Sequence, residues 1–280
     1  MKRFKYKYIL CIYMTSEGLM SEQLIRRVSL VGNGAHVFVP REWIGEEIVL
    51  IRKQKKRINE QILNVLESYL DKIEGVFLYG SYARREERSD SDIDLLVITN
   101  KKIEIKAKGF EIICIEKKDI EKALKIEPII IHSAIDEARV IINSGLLDEL
   151  RNKYKPNLKE FEEFFEDSKR IIKINEDFIR EEKRDSYFDD NAIVYSLVLR
   201  LRGLFIIKCL LEGKKQSYNS LKRFVGGAME DFDFIYDSYR KAKRDKNARI
   251  KIKTEEMINL IKFLNKEILY LENGQKKKKT

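Results

Sequence analysis

Histidine and cysteine are scarce in these 280 residues: His36 and His132, then Cys11, Cys114 and Cys209. The cysteines are odd in number, far apart and free of any CxxC spacing. That excludes a disulfide framework or a paired-cysteine zinc site and fits a reducing cytoplasm. The two histidines are distant from each other and read as structural. Of three prolines, Pro40 stops an apolar alternation and Pro156 disfavours helix at the residue before it, marking a boundary. No uninterrupted apolar run is long enough to cross a bilayer. Tyr8 to Met14 follows a basic start but is short and has no small-residue cleavage site. Residues 1–20 read as a leader of unknown use, with Met14 and Met20 as alternative starts. Asn191 to Leu211 is apolar on nearly all sides, yet Arg200, Arg202 and Lys208 interrupt it. It reads as a buried bundle helix, and no membrane is expected.

Charge is plentiful. Charged residues make up 36% and hydrophobic ones 44%, with 56 Lys and Arg against 46 Asp and Glu. Lys, Glu and Arg set among abundant Ile, with few Gln, is a composition of hot environments. The net charge of +10 lies at the ends: 12 basic against 6 acidic side chains over residues 1–60, four lysines at Lys276 to Lys279, and 40 against 40 between. A polyanion-binding arm and a merely solvated tail both fit this distribution.

Periodicity divides the rest. Residues 24–51 read as strand, turn, strand, turn, strand, with turns at Gly32-Asn33-Gly34 and Trp43-Ile44-Gly45. This module, bounded at 21–54, is too small to bury a core alone and is expected to share one in a homodimer. Over 55–73 an amphipathic helix presents Ile58, Ile62, Leu66, Tyr69, Leu70 and Ile73, with Gly75 past its end. Strands follow at 76–79, 93–98, 110–115 and 138–142, with helices at 118–124 and 146–154. That order gives an α+β domain over 55–155. Helices at 158–183, 190–213, 217–225, 230–243 and 254–272 make an all-α bundle over 157–273, ahead of a basic tail, 274–280.

The chemistry concentrates in Leu78-Tyr79-Gly80-Ser81-Tyr82-Ala83-Arg84 and Ser89-Asp90-Ser91-Asp92-Ile93-Asp94-Leu95. Side chains alternate along a strand, so Asp92 and Asp94 point one way while Ile93 and Leu95 enter the core. Two carboxylates so close raise each other's pKa unless a cation lies between them. Mg²⁺ takes few carboxylates together with phosphate oxygens. Gly80 has no Cβ to hold a phosphate away from backbone N–H groups, and Ser81 adds a hydroxyl. A phosphate cradle close to a metal pair describes metal-assisted phosphoryl or nucleotidyl transfer. Arg84 meets phosphate or pairs with a carboxylate. Tyr82 stacks on a base or packs in the core. Arg200 and Arg202 face a nucleotide or, the simpler reading, form buried ion pairs.

These residues resemble the nucleotidyltransferase superfamily that includes DNA polymerase β, in particular its minimal archaeal and bacterial branch, written G-S-x-A-R-G, a short spacer, then S-D-x-D-[LI]-[LI]-V. The likeness spans roughly 100 residues. Arg85 departs from it, standing where the family has Gly. The resemblance implies a mixed sheet with helices, an NTP substrate (ATP first), two Mg²⁺ ions on Asp92 and Asp94, and a third carboxylate on the next strand. Glu111 is the leading candidate for that carboxylate, with Glu116 and Glu104 behind it. Separately, the run from Gly32 to Ile51 resembles small archaeal AbrB-like swapped-hairpin proteins, with Gly34 where Ser is usual. This implies an intertwined dimer and DNA contact through Arg26, Arg27, Arg41 and Arg52. The helical region resembles a HEPN-like bundle in outline. It has no histidine, so it lacks the R-x4–6-H pair of HEPN ribonucleases.

Two functions follow. One is an enzyme moving a nucleoside monophosphate from an NTP to a hydroxyl on a protein, RNA or small molecule. Gly80, Ser81 and Arg84 bind the nucleotide, and Asp92, Asp94 and Glu111 carry metal and chemistry. The other is a dimeric DNA-binding regulator with an inactive or nucleotide-sensing domain. The intact Gly-Ser turn and both aspartates favour the enzyme.

Overall fold

The computed structural model describes residues 11–14, 20–23, 26, 28–32, 34–48, 58–89, 91–181, 187–188, 190–244 and 251–276. The chain divides into two compact units, Met1–Lys55 and Lys56–Thr280.

In the first unit, β1 (Cys11–Met14) pairs antiparallel with β2 (Met20–Gln23), and β3 (Ser29–Val31) with β4 (Gly34–His36). The β3–β4 turn passes through Gly32 at φ 52°, a left-handed conformation that suits glycine. A short 3₁₀ turn follows at Arg41–Trp43. Leu30, Phe38 and Ile44 are 84%, 71% and 78% exposed, so the apolar alternation of this unit does not close on itself. The strand expected after Trp43 begins at Ile48, which has no regular structure. Its remaining residues, together with Arg27, Arg52, most of the leader and Lys277 to Thr280, lie outside the described residues.

The second unit opens with α1 (Ile58–Leu66), followed by a 3₁₀ stretch (Glu67–Lys72) and β5 (Ile73–Tyr79). Then come α2 (Gly80–Arg84), β6 (Ile93–Thr99), β7 (Phe110–Glu116), α3 (Ile120–Ile126), α4 (Pro128–Glu137), β8 (Arg139–Ile142) and α5 (Ser144–Lys153). The sheet runs β7-β6-β5-β8, parallel between β6 and β7 and antiparallel elsewhere. Side chains of alternate residues face opposite layers. Val76, Leu78, Ile93, Leu95 and Val97 pack with Ile62 and Leu66 of α1. Phe77, Leu96, Ile98 and Ile115 pack with α3, α4 and α5. This is an α+β fold with a mixed four-stranded sheet, as expected.

Helix α4 has no counterpart in the periodicity reading. Pro128 opens it at the first turn, where its missing N–H costs nothing. Its Ile-rich sequence is apolar on two faces because the helix is sandwiched. Ile131, Ala134 and Ile135 cover the sheet, and Ile129 meets the helical core. A helix buried on both sides has no amphipathic stripe to detect.

Beyond Pro156 the chain is helical: α6 (Glu162–Glu181), α7 (Asn191–Glu212), α8 (Tyr218–Val225), α9 (Phe232–Arg244) and α10 (Thr254–Lys276). A short ladder of β9 (Tyr187–Phe188) and β10 (Ile252–Lys253) joins the loops before α7 and α10. Helix α7 is the buried axis; the Asp190 side chain caps its start and Gly213 turns left-handed at its end. Arg200 pairs with Asp167 at 2.7 Å; the ion pair expected of it forms, but with a partly exposed carboxylate and so not in the interior. Arg202 instead donates to the Tyr239 hydroxyl at 2.7 Å, with its cation over that ring. No helix among the described residues is long and apolar enough to cross a membrane.

Candidate active site

The site forms where β5 ends and β6 begins. Ladder register sets Tyr79 opposite Asp94 on one side and Glu111 beside Asp94 on the other. Residues 77, 79, 94, 96, 111 and 113 share a sheet face, so Tyr79, Asp94 and Glu111 form a row at its edge. Asp94 is half-buried in that row, and Asp92, just before the strand, is exposed. Glu116 is at the opposite end of β7, level with Thr99 and paired with Lys118. Glu104 is exposed and paired with Lys106. Of the three acids considered for a third carboxylate, Glu111 alone stands next to Asp94. Asp90 lies outside the described residues.

Burial is the main force on Asp94, and Glu111 adds to it; together they push its carboxyl up to about 7, against the opposing fields of Lys243 and Arg84. Burial, then Asp94, Glu111 and Glu137, raise the Tyr79 hydroxyl far above its ordinary range. The row therefore carries an excess of negative charge that a cation would relieve. Among the described residues no three His, Cys, Asp or Glu side chains converge on one ion position. What the geometry offers a cation is Asp94 with Glu111 beside it and Asp92 at the strand's mouth.

Gly80 is buried with φ 71°, and a Cβ there would lie 1.9 Å from Asp94 Oδ2. Its lack of a side chain therefore makes room for the aspartate, which fills that side of the turn. The Gly80 N–H donates to Glu137 Oε1 at 2.9 Å. Arg84 Nη1 donates to Glu137 Oε2 at 2.6 Å, and its Nε to Glu86 Oε2 at 3.1 Å. Burial opposes the Arg84 charge, but Glu137 and Glu86 outweigh it and raise its pKa. Arg84 thus pairs with carboxylates, one of the two roles anticipated for it. Tyr82 is partly buried against the α1-side core, the packing role, and its carbonyl accepts from Arg139. His132 is buried against Glu160, and burial lowers its pKa. His36 lies edge-on to Phe38. Ser81, half-buried, opens the helix turn beside Gly80.

Periodicity had no means of finding Glu137, Tyr79 or Lys243. Glu137 ends the sandwiched α4, Tyr79 reads as an ordinary strand aromatic, and Lys243 belongs to α9 of the helical segment. A glycine requiring positive φ immediately after a strand was the one available hint that something crowds the turn.

Residues 60–146 match the family model described as polymerase beta, nucleotidyltransferase. No curated protein matches. Among solved structures, a nucleotidyltransferase-like protein from Exiguobacterium sibiricum 255-15 is 11% identical, covering 76% of this chain and 75% of its own, at TM-score 0.34. Spectinomycin adenyltransferase AAD(9) from Enterococcus faecialis, solved with ATP and spectinomycin, is 13% identical over 75% of this chain and 97% of its own, at TM-score 0.40.

Proposed function

We propose, on the premise that this chain belongs through residues 60–146 to the polymerase β-type nucleotidyltransferase family, that it transfers a nucleoside monophosphate from an NTP, ATP first, to an acceptor hydroxyl. The observation that carries this reading is the row of Asp94 and Glu111 beside the Gly80–Ser81 turn, with the Asp94 carboxyl held near pH 7 by burial and by its neighbour.

Asp94, with Glu111 beside it and Asp92 at the strand's mouth, would hold the divalent cations, two Mg²⁺ in the full site. Mg²⁺ keeps waters and phosphate oxygens in its shell, so a protein contribution of two or three carboxylates suffices. When bound, the metal supplies Lewis-acid polarisation and charge neutralisation at the phosphates. Gly80 and Ser81 seat the β- and γ-phosphates at their turn, the Ser81 hydroxyl donating to them. Arg84 contributes its field while tied to Glu137 and Glu86. Glu111 orients the acceptor hydroxyl and takes its proton. The acceptor oxygen bonds to the α-phosphorus, the α–β bridging bond breaks, and pyrophosphate leaves with its electron pair.

Incubation with each α-labelled NTP and Mg²⁺, followed by partition of label among protein, RNA and small-molecule fractions, tests the activity and identifies the acceptor class. Asp94→Asn is expected to lower transfer at least about a hundredfold, the scale of losing one electrostatic catalytic group, with the fold retained. Turnover equal to wild type in that variant would remove Asp94 from the chemistry.

The first unit supports a second proposal: residues 21–54 join two copies of the chain. Its large apolar side chains stand open to solvent, and its size is too small for a closed core. DNA binding through Arg26 and Arg41 is the alternative use of the same unit.

A further inference from the structure

Four hydrogen bonds run in series from the helical bundle to the catalytic edge of the sheet. The Tyr218 amide, first in α8, donates to Glu86 Oε1 at 2.9 Å. The other oxygen of Glu86 accepts from Arg84 Nε at 3.1 Å. Arg84 Nη1 reaches Glu137 Oε2 at 2.6 Å, and Glu137 Oε1 takes the Gly80 N–H at 2.9 Å. Both carboxylates are fully employed, each with one oxygen on the guanidinium and the other on a backbone amide. Charge-assisted bonds of this kind are about twice as strong as neutral ones, and the planar guanidinium fixes the angle between them. Glu137 is 9% exposed, so solvent offers little replacement.

The series ends on the residue whose position matters most. Gly80 has the widest backbone freedom of any residue type, and nothing in its own side chain fixes it. Its Cα faces Asp94 so closely that a methyl group would overlap the carboxylate. A shift of the turn therefore changes both the seat of the phosphates and the space around Asp94. At the other end, the Tyr218 ring packs with Phe232 and Tyr236, and its hydroxyl donates to Asp233 of α9. Arg88 and Asp237 form a further ion pair at 3.6 Å between the loop after α2 and α9. The exit of α2 is thus tied to α8 and α9.

We propose that Glu86 and Glu137, acting through Arg84, are positioning residues by which the helical bundle sets the Gly80–Ser81 turn and so the affinity for nucleotide. This deepens the nucleotidyltransferase reading and rests on it for the word nucleotide; the mechanical link rests on the hydrogen bonds alone. An acceptor or partner that moves α8 then alters NTP binding without touching the NTP.

Glu86→Gln, Glu137→Gln and the double variant of the full chain test it by two readouts. Hydrogen exchange over residues 79–85, with 93–99 as internal reference, needs no activity. Steady-state transfer gives KM and kcat separately. The Glu86 N–H donates to the Ser81 carbonyl at 2.9 Å, a bond that Glu86→Gln keeps. Its side chain reaches only Arg84 and Tyr218, yet Glu86→Gln is expected to speed exchange over 79–85 several-fold and leave 93–99 unchanged. The same variant should raise the KM for NTP about tenfold, the worth of one charge-assisted hydrogen bond, while kcat stays within roughly twofold. The double variant should equal the larger single effect, since both residues belong to one series; independent roles would add. Wild-type exchange over 79–85 in Glu86→Gln, or additive effects in the double variant, overturns the relay. A wild-type protein that transfers no label from any NTP strikes the functional reading instead, and exchange still decides the link.

Discussion

Arg85 occupies the left-handed region at φ 61°, directly after α2, in the position where the resembled motif has glycine. A side chain there crowds the backbone, and glycine does not. Arg85 is exposed and closes the helix through its own N–H, so the guanidinium is not needed for the turn. Arg85→Gly should therefore stabilise the second unit by about 0.5–1 kcal/mol, the relief of left-handed strain less the entropy glycine adds to the unfolded chain. Urea midpoints of the two proteins check this; a lower midpoint for the variant would mean that Arg85 makes a compensating contact. The sign for Asp94 is different. Its carboxyl ionises near pH 7 when folded and near 3.8 when unfolded. Below about pH 4 both states are protonated and Asp94 has no effect. Between there and pH 7 the folded state holds the extra proton, so stability falls as pH rises; above 7 the loss is complete. After discount for solvent screening the loss is on the order of 2 kcal/mol. In metal-free protein, denaturation at pH 5 and pH 8 should show Asp94→Asn gaining stability relative to wild type at both, and more at the higher pH. A gain of the same size at both pH values would contradict the raised pKa.

At the scale of elements, the strands that build the site were legible because each carries a short apolar run bounded by a turn signal. Gly80-Ser81 ends β5, Asp92 opens β6, and the Lys-rich turn precedes β7. The five long helices beyond Pro156 were legible for the same reason, with caps at Asp190, Gly213 and Ser217. Glu111 was one of three acids in sequence, and only the parallel register of β6 and β7, a long-range pairing, separates it from Glu104 and Glu116. Helix α4 was illegible because burial on two sides erases the polar stripe. With it went Glu137, the residue that holds the Gly80 amide. The links missed are the ones joining elements far apart in the chain: the hydrogen bonds of Glu137 to Gly80 and Glu86 to Tyr218, and the field of Lys243 at Asp94. No local pattern encodes such pairs. They arise from how α4, α8 and α9 stack, and side-chain periodicity reports which face is buried without saying against what.

For the whole molecule, the open question is what the first unit does with its apolar surface. Leu30, Phe38 and Ile44 are large apolar side chains left exposed in a unit of four short strands and one 3₁₀ turn, the kind of surface a partner covers. The second unit has its own cores on both faces of its sheet and around α7, so it needs no help from the first to fold. A second copy is the simplest cover, since an identical unit offers the same unclosed edge and closes both at once. Light scattering on the full chain should give two subunits for wild type and one for Leu30→Asp or Phe38→Asp, with the melting transition of the second unit unmoved. Two subunits in both variants would place the interface elsewhere. Nucleic-acid binding by the same unit is separable by salt. Basic charge gathers over residues 1–60 while the body is balanced, so binding through phosphates should weaken with a log–log slope of about 0.9 per neutralised phosphate on duplex DNA. A monomeric variant that loses DNA affinity together with dimerisation makes the unit a two-headed grip. A wild-type dimer that binds none at low salt makes it an assembly device for the transferase, and the positive ends then serve only to keep the copies soluble.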